Sequence, residues 1–439
     1  RPGTHWQIDS ATGGITVEQF HRTQWDTDPS LTVETAISKS RRLLKTAVAQ
    51  QLQADVEVGV MLSGGLDSSS IAALTKEVRG DANFHTFSIG FEEASFDESH
   101  HAEAVATHLG TEHHHIRVTA NDVAALLPTY LGSIDEPYAD GSAIPTALLA
   151  KAAKKYVTVL LSGEGGDEMF SGYDTHAAAV ARRWYRTIPG WIRRHGIAPF
   201  VRALPVRHNK LSFDFKAKRF VSGVEHDTPH SHYAWREVLN ESEKTRLLRE
   251  AHTFPASHTL FKTAWDECNS PHALCRLLHI DRTHHLPDDL MVKNDRMTMA
   301  HSIEARVPFC DKALVAFLAT VPPHFLMNGL TPKVLLRKAM QDTLPASVVR
   351  RKKMGLEMPY STWFRGPWRA WTNDVLSQDR VEATTLLRPA EVQRLLKEHQ
   401  EMQVDHGRAL WGIINFVLWH ELYIQSDNFL SVSLGGQVQ

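Results

Sequence analysis

The sequence predicts an α/β fold, a doubly wound parallel sheet followed by a large helical C-terminal half, and three observations predict it. Short β-branched runs between Val33 and Leu161 alternate with helical patterns of roughly ten to fifteen residues, which demands crossover connections and therefore parallel strands. Two of those runs lead directly into glycine-rich loops. Beyond Gly172 the pattern changes to long amphipathic segments rich in Trp, Arg and Leu, punctuated by Pro189, Pro199, Pro205, Pro287, Pro308 and Pro322-Pro323.

Taken in order, residues 1 to 32 are turn-rich, with Gly13-Gly14 as a hairpin tip, and read as the edge of another unit or a linker. Val33 to Leu52 places Ala36, Ile37, Leu43, Leu44 and Val48 at helical spacing. Val56 to Leu62 is a buried-type strand and Ser69 to Val78 a helix. Phe84 to Gly90 is a strand, Ser99 to Leu109 a helix and Thr111 to Val118 a strand. Ser142 to Tyr156 is helical, and Val157 to Leu161 completes the series. Residues 33–175 thus form an α/β core and 176–430 a mainly helical unit packed on it. Val206 to Asp227 reads as a charged, mobile connection.

Composition narrows the function classes. With 48 Lys+Arg against 50 Asp+Glu the net charge is −2, which argues against a nucleic-acid-coating protein. Hydrophobic residues at 42% and charged residues at 22% exclude wholesale disorder. Three cysteines, Cys268, Cys275 and Cys310, argue for a reducing compartment rather than a disulfide framework. No run approaches the roughly 20 apolar residues of a membrane span, and no signal peptide is evident, so a cytoplasmic location is expected. The paired and tripled histidines point in different directions along a helix or strand and do not match structural zinc spacing; surface or helix-cap roles are expected, with His115, near a strand, the one that could approach a ligand at the sheet edge. Trp363, Trp368, Trp371, Trp411 and Trp419 are expected to pack the helical half.

The strongest local signal is Gly59-Val-Met-Leu-Ser-Gly-Gly-Leu-Asp-Ser-Ser69, an apolar strand, a small-residue turn and a helix. Gly64 and Gly65 let the backbone approach a ligand, the helix start presents unpaired N–H groups to an anion, and Ser63, Ser68 and Ser69 add hydroxyls. Asp67 would repel a phosphate unless a cation such as Mg²⁺ stood between them. No Walker A lysine pattern is present. The loop resembles the pyrophosphate loop of the N-type ATP pyrophosphatases, which split ATP into AMP and pyrophosphate. A second loop, Leu160-Leu-Ser-Gly-Glu-Gly-Gly-Asp-Glu-Met-Phe-Ser-Gly-Tyr173, crowds Glu164, Asp167 and Glu168 at the same sheet edge, where a cation or proton is needed to relieve them.

Three further segments extend the resemblance: Asp295-Arg-Met-Thr-Met-Ala-His-Ser-Ile-Glu-Ala-Arg-Val-Pro-Phe-Cys-Asp311, Thr331-Pro-Lys-Val-Leu-Leu-Arg337 and Leu344-Pro-Ala-Ser-Val-Val-Arg350. With the two loops they make the chain similar to the synthetase domain of the glutamine-hydrolysing asparagine synthetase B family, and they imply one ATP-pyrophosphatase domain over 33–430. The resemblance implies ATP and Mg²⁺ as cofactors, with Leu62, Ser63, Gly64, Gly65, Leu66, Asp67, Ser68, Ser69, Ile89, Ser162 and Gly163 binding ATP and pyrophosphate. It further implies Asp67 and Asp167 as metal ligands and Glu164 and Lys333 as catalytic residues. The implied reaction activates aspartate as β-aspartyl-AMP, from which ammonia displaces AMP. Related enzymes amidate or cyclise other carboxylates, such as uronic acids, natural-product acids and lasso-peptide precursors, so the acid stays open; a non-catalytic nucleotide-binding module is the contrasting class.

Arg306 and Asp311 read as structural ion-pair partners and Cys310 as an inert buried side chain. The approach to Asp135-Glu136-Pro137 and region 176–290 are expected to vary with the acid. Implied partners are small molecules (ATP, aspartate or another carboxylate, ammonia or glutamine), with a homodimer as an option and neither nucleic acid nor membrane. Arg1-Pro2-Gly3-Thr4-His5-Trp6 resembles the Pro-Pro-Gly-His segment that closes the family's glutaminase domain. That likeness carries the expectation of a longer glutamine-dependent enzyme, of which this stretch alone uses free ammonia.

Overall fold

The computed structural model describes residues 3–205, 213–250 and 253–425. It opens with an antiparallel hairpin, β1 (Thr4–Ile8) and β2 (Ile15–Gln19), in which Trp6 faces Val17 and Ile8 faces Ile15. Its turn closes through hydrogen bonds between Asp9 and Gly13 and Gly14. The first helix, α1 (Val33–Gln51), is capped by the Thr32 side chain and buries Ala36, Leu44, Ala47 and Val48. Of the positions that its apolar spacing marks, Ala36, Leu44 and Val48 are buried, whereas Ile37 and Leu43 are half-buried.

The central sheet is five-stranded, parallel at every pairing, in the order β5-β4-β3-β6-β7. Its strands are β3 (Val58–Met61), β4 (His85–Phe91), β5 (Glu112–Val118), β6 (Val159–Leu161) and β7 (Glu304–Arg306). Crossover helices α2 (Leu66–Arg79) and α3 (Ser99–Leu109) join the first three strands, which run outward to one edge. The chain then passes through α4 (Ala120–Leu131) and α5 (Ala143–Ala153) and re-enters on the other side of β3 as β6. The topology therefore switches direction between β3 and β6, and it is at such a point that carboxyl-end loops diverge and leave a crevice.

Several boundaries differ from expectation. Helix α2 starts at Leu66 rather than Ser69, because the Ser-Gly-Gly turn is complete by Gly65, which serves as N-cap. Helix α4, unassigned from sequence, is held by a reciprocal Thr119–Asp122 capping box and tolerates Pro128. A helix at Phe213–Gly223 occupies much of the segment read as a mobile connection; 206–212 lie outside the described residues. Arg306 and Asp311 do not pair with each other. Arg306 bonds Glu304 and the carbonyls of Gln51 and Gln53, whereas Asp311 caps the helix Lys312–Leu318 through Ala313 and Leu314. An N-cap aspartate is engaged by its own helix, which leaves it no need of a distant cation.

Beyond the sheet the chain is helical. Trp363, Trp368 and Trp411 sit in a core that also joins α4 and α5, with Trp371 and Trp419 packed at its margin. Among the described residues no helix is long and apolar enough to cross a membrane.

Candidate active site

A cavity of about 410 Å³ lies over the switch point. Leu62, Ser63 and Gly65 of the first glycine loop line it. The Ser63 amide donates to Ser68 Oγ at 3.1 Å, the two hydroxyls lie 3.0 Å apart, and the Gly65 amide donates to Ser63 Oγ. These bonds fix the turn, and no side chain caps α2 at Gly65, so the helix start faces the cavity with its amides available to an anion. Gly64 adopts φ +69°, and a Cβ there would collide with the backbone of α3 at His101 and Ala102. At Gly163 a Cβ would fall 2.7 Å from the Ser68 amide nitrogen, so the two Ser-Gly loops touch only because both are built from glycine.

Twelve of the fourteen sequence-marked residues line this cavity: Leu62, Ser63, Gly65, Leu66, Asp67, Ser68, Ile89, Ser162, Gly163, Glu164, Asp167 and Lys333. Gly64 and Ser69 do not. Gly64 turns toward α3 and receives Arg351 Nη1 on its carbonyl at 2.9 Å, and Ser69 is fully buried within α2. His115 lies instead on β5, where Nδ1 is 3.1 Å from Ser88 Oγ, and is absent from the cavity wall. Asp135, an expected acceptor-site residue, pairs with Arg296 outside it, and Asp140 lines the cavity in its place.

The electrostatics centre on two ion-pair clusters. Lys333 is 4% exposed, contacts Asp67 and lies 2.6 Å from Asp167 Oδ1. It holds φ +56° at the head of the helix Val334–Met340, a left-handed conformation that costs a non-glycine residue about 1 kcal/mol or more. Burial lowers its pKa, and Asp67 opposes that shift. Asp167 also contacts Lys353, whose pKa burial brings down to about 8. On the other side, Lys293 Nζ is 2.7 Å from Glu164 Oε1 and 3.5 Å from Asp140 Oδ2. Burial raises the pKa of Glu164 while Lys293 pulls it down; Lys293 itself, though buried, is held charged by Glu164 and Asp140.

The carboxylates suit a hard cation. Asp67 Oδ1 is buried without a hydrogen-bond partner, and the Asp67 and Asp167 side chains converge on one ammonium, so an oxygen-donor site for Mg²⁺ fits here. Lys293, Arg351 and Lys353 were not found by sequence reasoning. Each sits in or beside a run of polar residues (Val292-Lys-Asn-Asp-Arg296, Arg350-Arg-Lys-Lys353) that by itself reads as a solvated helix or loop face. Tyr173, at the end of the second loop, presents its ring to Lys353 at 4.6 Å and to Arg236 at 4.4 Å, and its hydroxyl bonds Glu168.

A parallel α/β sheet with two glycine loops and a mixed acidic and basic cluster at its switch point defines a nucleotide-site protein of the ATP-pyrophosphatase class. Comparison with known proteins places it further: the sequence profile of the asparagine synthase family matches residues 39–421, and the chain belongs to that family. It is 29% identical over 425 residues to asparagine synthetase [glutamine-hydrolyzing] 1 of Bacillus subtilis, covering 97% of this chain and 65% of that protein. It is 33% identical over 396 residues to a putative asparagine synthetase [glutamine-hydrolyzing] of Mycobacterium bovis, covering 87% and 57%. A protein named amidase chyE, of Penicillium rubens, is 23% identical over 389 residues, covering 80% and 56%. The chain therefore spans roughly three fifths of the length of these relatives.

Proposed function

We propose that the chain is an ATP-dependent amide synthetase that activates a carboxylic acid as an acyl-adenylate. The carrying observation is the meeting of the two Ser-Gly loops at the switch point, with Asp67, Asp167 and Lys333 gathered above them. A carboxylate resists amide formation because hydroxide leaves poorly. In the proposed first step a carboxylate oxygen attacks the α-phosphorus, the bond to the β-phosphate oxygen breaks, and pyrophosphate departs. Ammonia then attacks the acyl carbon, AMP leaves with the former carboxylate oxygen, and the amide forms with release of one proton.

In this reading the chain's task is mainly positioning and charge stabilisation. Ser63, Gly65, Leu66, Asp67 and Ser68 hold the pyrophosphate, with Gly64 supplying the turn and Ser69 supporting it from within α2. Leu62, Ile89, Ser162 and Gly163 flank the adenosine. Lys333 and Lys353 offset the charge that grows on the leaving pyrophosphate. Asp67 and Asp167 would hold Mg²⁺, which would supply further neutralisation of the phosphates. Glu164, set by Lys293, accepts the proton lost by ammonia. The names of the relatives nominate aspartate as the acid and glutamine, in the longer proteins, as the source of ammonia, with residues 1–32 as the edge of the unit that delivers it.

The test is ATP–pyrophosphate exchange across a panel of acids, followed by product analysis with ammonium added. Exchange that depends on an acid, and a matching amide by mass spectrometry, are expected. Asp67→Ala should reduce exchange to background, and an Asp67→Ala protein of full activity would remove the loop from the mechanism.

A further inference from the structure

The nucleotide cavity continues into a second chamber of about 760 Å³, and Asp140, His285, Asp289, Gly355 and Leu356 belong to the walls of both. Most of the new wall is apolar: Leu239, Leu247, Leu387, Ile413 and Phe416 contribute to it, together with the ring of Tyr360. Its charged groups are committed to one another. Arg408 grips Glu357 through two nitrogens at 2.8 and 2.9 Å, and Lys244 Nζ lies 2.6 Å from Glu241 and 2.7 Å from Ser257 Oγ. His285 Nδ1 lies 3.1 Å from Asp289, and Asp140 faces Lys293. Among the described residues of this chamber, no charged side chain is left uncommitted.

Free aspartate would bring, besides its reacting carboxylate, a second carboxylate and an ammonium. Each must find a counter-charge when it leaves water, or remain costly to bury. The Asp140 and Asp289 carboxylates could meet the ammonium, but the chamber offers no uncommitted cation to the second carboxylate, and its volume is that of a site for a drug-sized ligand rather than for a small amino acid. At the junction Lys293, standing between Glu164 and Asp140, brings a buried cation to the point at which the chamber meets the nucleotide cavity.

We propose that the acid activated by this chain is bulkier than aspartate and apolar beyond its reacting carboxylate, an aryl- or alkyl-substituted carboxylic acid whose body fills the second chamber. This rests on the reading of the chain as a carboxylate-adenylating enzyme. The reacting carboxylate sits at the Lys293 junction, facing the α-phosphorus, and the apolar body lies between the helix Gly407–His420 and the Leu239–Leu247 wall. Gly412, on that helix, faces open space: a Cβ there meets only the Ala139 Cβ, at 3.8 Å. A larger side chain at 412 therefore grows into the chamber without displacing the backbone, and replacing a mid-helix glycine does not weaken the helix.

The experiment is ATP–pyrophosphate exchange with Mg²⁺-ATP and aspartate, butyrate, octanoate or 4-phenylbutyrate as the acid, on the wild type and Gly412→Leu. Octanoate and 4-phenylbutyrate are expected to exceed aspartate in kcat/KM by about tenfold or more, since a methylene group on an apolar wall is worth roughly tenfold. Gly412→Leu should raise KM for octanoate and 4-phenylbutyrate by about tenfold and for butyrate much less. Equal or better exchange with aspartate overturns the inference while leaving adenylation in place. A Gly412→Leu loss that is uniform across acid sizes, in a protein that melts like the wild type, also overturns it. Exchange with no acid in the panel, aspartate included, overturns the adenylation reading itself.

Discussion

Lys293→Met removes one charge from the site while nearly preserving the side chain's length. Lys293 is 5% exposed, and its ammonium lies 2.7 Å from Glu164 and 3.5 Å from Asp140. Burial already holds the Glu164 pKa above its ordinary value of 4.5, against the pull of Lys293. Removing the lysine strands an ionised carboxylate, and breaking a buried pair in this way costs about 3–5 kcal/mol. Protonation of Glu164 offers a way out, so the cost depends on pH. A carboxyl group whose folded pKa is raised keeps its stability contribution below its unfolded value and loses it as pH climbs through the folded value. Because the variant raises that pKa further, its deficit should grow as pH rises through the wild type's folded value, which burial already holds above 4.5. With an unfolding entropy of about 2.1 cal/mol/K per residue, 3 kcal/mol across this chain lowers Tm by about 3 °C. Calorimetric melts of both proteins should differ by about that much near pH 8 and converge near pH 5. The same gap at both pH values would refute the argument, since it would locate the loss in packing rather than in charge.

Three further outcomes are expected. Lys353, with a pKa lowered by burial to about 8, loses its charge above that pH, so exchange should fall on the alkaline side. Lys353→Arg keeps the charge, and the alkaline limb should flatten in pH–rate profiles; an unchanged limb would separate Lys353 from the rate. Gly163→Ala places a methyl group 2.7 Å from the Ser68 amide and should cost about 1–3 kcal/mol in melts, with weaker ATP binding by calorimetric titration. Phe309→Ala, at a fully buried position that meets Phe170 edge-on at 5.9 Å, should cost about 3–5 kcal/mol and lower Tm without requiring any change in Mg²⁺ dependence.

Much of the fold was legible because its signals are local. β3 and β6 are short apolar runs that end in Ser-Gly, and the Thr32 cap and apolar stripe of α1 belong to one helix. β7 was not legible. Glu304-Ala-Arg306 has no strand pattern of its own and becomes a strand only because its backbone pairs with Val159–Leu161, far away in sequence. The start of α2 moved for a related reason: Leu66, Asp67 and Ser68 read as loop chemistry, yet their backbone is already helical while their side chains line the cavity.

The sequence by itself determined the class of the site. Glycines where two loops must touch, serines that lock a turn, and carboxylates beside an anion-binding helix start are requirements of residue type, and residue type is written in the chain. The family resemblance marked Lys333, but tertiary structure alone decided which carboxylates it serves, which further cations join it and what space lies beyond them. Lys293, Lys333 and Lys353 come from three separate segments, and a lysine's long side chain reads the same in sequence whether it ends in solvent or between two carboxylates. The chamber beside Asp140 is likewise a property of surfaces brought together by distant helices, Leu239 to Phe416. Its volume and its spent charges exist only once those helices have packed.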